Sequence, residues 1–145
     1  MCPPCQPFTA SVLASVLKYV RLLVREDVPF ILQAPAFSDL WKCNVLNDLL
    51  LTARYESSHT IDRCAFGARS KNSLRFHLGG IESPGLLGCD SSKCRGKHGI
   101  CSHFQRKHVS SHRKEAHYPA KLQTVLAAVL CDRRWSMDTY NASPF

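Results

Sequence analysis

From Gly79 to His117 the chain carries glycines, prolines, serines, cysteines and histidines without an apolar period, and hydrophobic patterning alone cannot fold a stretch of that length. Two solutions remain: an irregular insertion lying over a domain, or a segment organised by a metal. Cys89, Cys94, His98, Cys101, His103, His108, His112 and His117 supply thiolate and imidazole donors, a ligand set that suits zinc. Two spacings compete within it. Cys89-x4-Cys94-x13-His108-x3-His112 approximates a zinc finger with Phe104 as a core residue, whereas Cys94, His98, Cys101 and His103 would make a compact knuckle. The alternative to both is a metal-free, solvated basic loop.

The rest of the chain can build a domain around such a segment. With 145 residues, 45% of them hydrophobic, it suffices for one domain with a buried core. The most apolar stretch, Phe8 to Val24, is interrupted by Lys18 and Arg21, so no membrane span is expected. Met1-Cys2-Pro3-Pro4-Cys5 lacks the basic residues that precede the apolar part of a signal peptide. The eight cysteines are therefore expected to be reduced, in the nucleus or cytoplasm. Cys43, Cys64 and Cys131 fall in expected helices and strands and are assigned to the core. A net charge of +8 favours a polyanion, DNA or RNA, because each phosphate contact releases counterions. The charge gathers between Cys89 and Tyr118, and within it Arg106 and Lys107 are candidate nucleic-acid contacts.

Outside that segment, periodicity is clear. Phe8, Val12, Leu13, Val16, Leu17, Val20 and Val24 recur at helical spacing, predicting a helix from Thr9 to Arg25. Val28 to Leu32, bounded by Pro35, predicts a buried strand. Ser38 is the expected N-cap of a second helix that ends near Ala53. Strands are expected at Thr60 to Cys64 and Leu74 to Leu78, and Pro119 opens a last helix through Leu130. The expected organisation is one unit over residues 1–131, with a basic Cys/His-rich insertion at 79–117 and a tail at 132–145.

Pro3-Pro4-Cys5-Gln6-Pro7-Phe8-Thr9, placed before the first helix, resembles the nucleophile loop Pro-Pro-Cys-Gln-Pro-Phe-Ser of the DNA cytosine-5 methyltransferases. In that family the loop is followed by a helix, a strand ending in Glu-Asn-Val, another helix, and a strand leading to an arginine-rich segment. Here Phe30-Ile31-Leu32-Gln33-Ala34-Pro35 occupies the Glu-Asn-Val place, and Cys64-Ala65-Phe66-Gly67-Ala68, followed by Lys71, Arg75 and Phe76, resembles the arginine-rich segment. The chain is more closely similar to divergent members from algae and mobile elements. Their Glu-Asn-Pro-x-x-Ser-x-Leu-Trp is matched by Gln33 to Trp41, and their Cys-x-Gly-x-His and Tyr-Pro-x-x-Leu by Cys94 to His98 and Tyr118 to Leu122.

The resemblance implies a partial Rossmann-like methyltransferase half-domain of α/β class, with helices over a small, mainly parallel sheet. It gives Cys5 the nucleophile's role, thiolate addition to the pyrimidine ring, which a helix N-terminus favours by lowering the thiol pKa. It places Gln33 at the position of the glutamate that contacts cytosine, although an amide cannot supply a carboxylic proton. It makes Lys71 and Arg75 candidate DNA contacts, while Asn72 and Leu74 stand where arginines belong. The S-adenosylmethionine site lies in the family upstream of the nucleophile, and no Phe-x-Gly-x-Gly segment precedes Cys5. The expectation is a fragment or degenerate relative, inactive alone, that uses the methyl donor only if a separate chain supplies the cofactor-binding half; a gene-model truncation or a decayed copy would equally explain the missing half. Two alternatives are a non-enzymatic zinc- and nucleic-acid-binding module, and a redox protein using Cys2 and Cys5.

Overall fold

The computed structural model describes residues 9–109 and 119–131. Helix α1, Ala10–Arg25, begins where expected, with the Thr9 hydroxyl accepting from the Val12 amide at 3.4 Å. Its apolar stripe, the buried Val20 with the partly buried Leu13, Val16, Leu17 and Val24, packs against Phe30, Leu32 and Ala34 of strand β1, Phe30–Pro35. The strand starts two residues later than its apolar run because Val28 donates back to the Leu23 carbonyl and Pro29 has no amide to give. The expected second helix is broken in two. A 3-10 turn, Asp39–Lys42, is capped by Ser38, and helix α2 follows at Asn44–Leu50. The indole of Trp41 donates to the Pro35 carbonyl at 2.9 Å, and the Asn47 amide donates to the Trp41 carbonyl at 3.0 Å, which ties the turn down between β1 and α2.

Strand β2 (Ser57–Asp62), strand β3 (Ser73–Gly79) and helix α3 (Ala120–Leu130) complete the regular structure. The fold is α/β, with a three-stranded sheet in the order β1-β3-β2. The sheet differs from the mainly parallel one expected: β3 runs antiparallel to both neighbours. Chain length explains this. A parallel neighbour needs a crossover of about a dozen residues or more, and only residues 63–72 separate β2 from β3. The longer link from β1 to β2, which contains α2, leaves those two strands running the same way with β3 between them.

Side chains alternate across β3 and divide the core in two. Leu74, Phe76 and Leu78 face a cluster with Ile61, Ile81, Leu87 and the α3 residues Leu122, Val125 and Val129. On the other face Arg75 lies over the Trp41 ring at 4.8 Å, beside the α1–α2 cluster. No helix among the described residues is long and apolar enough to cross a membrane.

The central strand carries two tests. Phe76 is fully buried in it, so Phe76→Ala should cost about 3–5 kcal/mol in chemical denaturation. His77 is also buried, 3.2 Å from Glu56, and burial pushes its imidazole below the ordinary value despite the partly opposing Glu56 charge. Because its folded pKa is depressed, its contribution is present above the ordinary value of about 6.5 and is lost as pH falls through the folded value. Denaturation midpoints should therefore drop on acidification, less steeply for His77→Gln.

Candidate metal centre

The sheet ends in a carboxylate. Asp62, the last residue of β2, is buried, and it accepts from the Ser73 hydroxyl at 2.5 Å and from the Cys94 amide at 2.7 Å. Beyond it the chain makes a 3-10 turn, Arg63–Phe66, closed by Gly67 at φ 96°, a left-handed value that a residue without Cβ adopts at little cost. This turn buries Cys64. Cys94, held by Asp62 through its amide, begins a tight excursion that returns through an isolated bridge between Ile100 and Lys107. Gly96 is required there, since a Cβ would collide with the Ile100 carbonyl oxygen.

The excursion brings Cys94, Cys101 and His108 to Cys64. One donor atom from each of the four lies within 4.8 Å of every other. The Cys94 and Cys101 sulfurs are 3.9 Å apart, and Cys94 Sγ is 3.7 Å from His108 Nε2. Two thiolates bound tetrahedrally at the usual zinc–sulfur distance of about 2.3 Å would be about 3.8 Å apart, so the spacing fits a tetrahedral ion. The three sulfurs, with Phe104 packed on them, form a small cluster of their own, and the Phe104 ring meets His108 edge-on at 5.7 Å.

The electrostatics suit a cation. Burial and the adjacent Cys101 and Cys94 sulfurs push the Cys64 thiol far up. For Cys94, burial also acts upward, but the Ser102 amide and hydroxyl, the Gly96 amide and the Cys64 thiol outweigh it and lower the pKa to about 5. Ser102 donates from both groups to Cys94 Sγ at 3.5 Å, and the His103 amide donates to Cys101 Sγ at 3.3 Å. Amide donors aimed at buried sulfur stabilise thiolate, and a divalent ion would supply the charge that the remaining thiols need to ionise.

Of the expected ligands, Cys94 and Cys101 are in the set. His98 is not: it is exposed, in a left-handed turn at φ 55°. His103 stands beside the set, with Nδ1 3.8 Å from both Cys64 and Cys101 Sγ and Nε2 3.1 Å from the Ser91 carbonyl. Cys89 is exposed and bonds the Gly85 carbonyl, while His112 lies outside the described residues, as do His117, Cys2 and Cys5. Cys64 and His108, the latter a member of the zinc-finger spacing, complete the group of four, which does not include His98 or His103. Cys64 looks like a core residue in sequence, because only the fold reveals that β2 stops before it. His108 has a usable signal: Cys94, Cys101 and His108 are separated by six residues each.

The candidate polar contacts do not gather in one place. Gln33 is half-buried in β1 opposite Phe76, on the sheet face that packs toward α3. Arg75 is engaged over Trp41 and donates to Ser58 Oγ at 2.9 Å, on the opposite face of the sheet from Gln33. Lys71 lies 4.0 Å from Asp62. Arg106 and Lys107 line a cleft of about 870 Å³ next to the metal centre, together with Arg69 and Lys121. Among the described residues, no carboxylate lines that cleft. No protein-family model, curated protein or solved structure matches the chain.

The protein should take up one zinc or cobalt ion, with cobalt giving the visible absorption of a tetrahedral thiolate site. Cys64→Ser, Cys101→Ser and His108→Ala should each weaken metal binding by more than about tenfold, whereas His98→Ala should leave it unchanged. Titration with a chromophoric chelator reads both.

Proposed function

We propose that the chain is a zinc-stabilised nucleic-acid-binding module carried on an α/β scaffold of methyltransferase descent. The observation that carries this reading is the convergence of Cys64, Cys94, Cys101 and His108 beside a cleft lined by Arg69, Arg106, Lys107 and Lys121. Four protein donors leave no open position for a reacting water, which is the pattern of a structural zinc. Zinc here would contribute folding energy, fixing Arg106 and Lys107 against Arg69 and Lys121. A reducing compartment, nuclear or cytoplasmic, would keep the thiols available to the metal. DNA or RNA binding should weaken steeply with salt, survive Cys5→Ser and be lost with Cys94→Ala. Metal-replete protein that binds neither polymer in polarisation titrations would overturn the reading.

A second reading has a specific observation behind it. The helix–strand–helix–strand order of α1 to β2 matches the order that the cytosine-5 methyltransferase resemblance implies, with Gln33 near the end of β1. In this reading the chain is the Rossmann-like C-terminal half of such an enzyme, with Cys5 as nucleophile, and another chain brings S-adenosylmethionine. Calorimetry should then show no S-adenosylmethionine binding by the isolated chain, and methyl transfer to cytosine only after a cofactor-binding half is added, abolished by Cys5→Ser.

A further inference from the structure

We infer that the cleft beside the metal centre binds the phosphodiester backbone of single-stranded nucleic acid in preference to duplex. The inference rests on the nucleic-acid reading above and names the form of the polymer. The cleft has three walls drawn from separate parts of the chain: the turn and loop containing Cys64 to Arg69, the metal-binding excursion with Arg106 and Lys107, and the first turn of α3 with Lys121. The four cations are exposed and line one concavity. An anionic ligand that enters therefore meets positive charge from all three walls.

Shape then selects the polymer. At about 870 Å³ the cleft lies within the range of about 300–1,000 Å³ that encloses a small organic ligand. A duplex presents its phosphates on a convex rod too wide to enter a space of that size, whereas a single strand can thread a positively charged groove. Ala65, Gly67 and Ala68 add little bulk to the lining, and a Cβ built on Gly67 would meet no atom within 4 Å. Small lining residues leave room for backbone and sugar beside the four cations. Phe104, also in the lining, offers an aromatic edge beside the metal cluster. Contacts of this kind read charge and spacing, so DNA and RNA strands share the chemistry.

Polarisation titrations of the full, zinc-loaded chain with labelled oligothymidylate, oligouridylate and a mixed-sequence duplex of equal length test the inference. At least one single strand should bind tenfold or more tightly than the duplex. Arg106→Gln and Lys121→Gln should each weaken that binding several-fold and make its salt dependence shallower, by about 0.7 in log–log slope for each phosphate the variant no longer neutralises. Zinc content should stay at one per chain in both variants, which separates a weakened grip on the strand from a failure to fold. Duplex binding equal to or tighter than both strands, or single-strand binding unaffected by both substitutions, would overturn the inference while leaving the zinc and nucleic-acid reading intact. Absence of zinc, or of binding to all three probes, would remove that reading as well.

Discussion

The Asp62 carboxylate joins the two physically different parts of the molecule. One oxygen accepts from Ser73 at the start of β3, and the other accepts from the Cys94 amide at the start of the excursion that carries Cys101 and His108. A buried carboxylate costs stability unless it is paired, and here the Ser73 hydroxyl, the Cys94 amide and the nearby Lys71 ammonium meet that requirement. The same bonds set the position of Cys94 relative to Cys64, two residues beyond Asp62 in the chain. The candidate metal ligands are thus registered to the sheet by a hydrogen bond that needs no ion. This gives the cluster its pre-organisation, and the small core of three sulfurs and Phe104 then needs little apolar surface.

How much of this is legible in the sequence follows from which forces are local. Helix α1 can be read almost to the residue because its stripe and its Thr9 cap are written within one segment. β3 can be read for the same reason, with Leu74, Phe76 and Leu78 alternating. The second helix departs from its expected span because its start depends on Trp41 reaching the Pro35 carbonyl, a tertiary contact that favours a 3-10 turn over a continuous helix. Strand direction departs from expectation because the family resemblance implies parallel neighbours, although the short link between β2 and β3 points the other way.

The site is legible by composition and not by membership. A dense Cys/His segment without apolar periodicity identifies the region, and Cys94 and Cys101 are found within it. Compact spacing then favours His98 and His103, because local ligands close the smallest loops. The fold instead recruits Cys64 from far upstream, since the turn after β2 and the excursion that begins at Cys94 start from the same end of the sheet. A ligand contributed by tertiary proximity leaves no mark in local spacing.

That shared end of the sheet also explains how one scaffold can be compatible with both functional readings. Pro35 pairs with Leu74 and Asp62 with Ser73, so β1 and β2 terminate side by side across the start of β3. Gln33 lies just inside this edge and Cys64 just outside it. Strand β1 runs back along helix α1 to this edge: Val28 closes a tight turn onto Leu23, and α1 and β1 have comparable lengths of about 24 Å and about 20 Å. The carboxyl ends of strands are where open α/β sheets place their ligands, because the loops there are free to vary while the strands hold them in position. In this chain the residues beyond that edge include an excursion with metal-ligand spacing whose cations line a cleft. The sheet and Asp62 fix where that loop begins, so the chemistry offered at this edge is set by the loop and not by the strands.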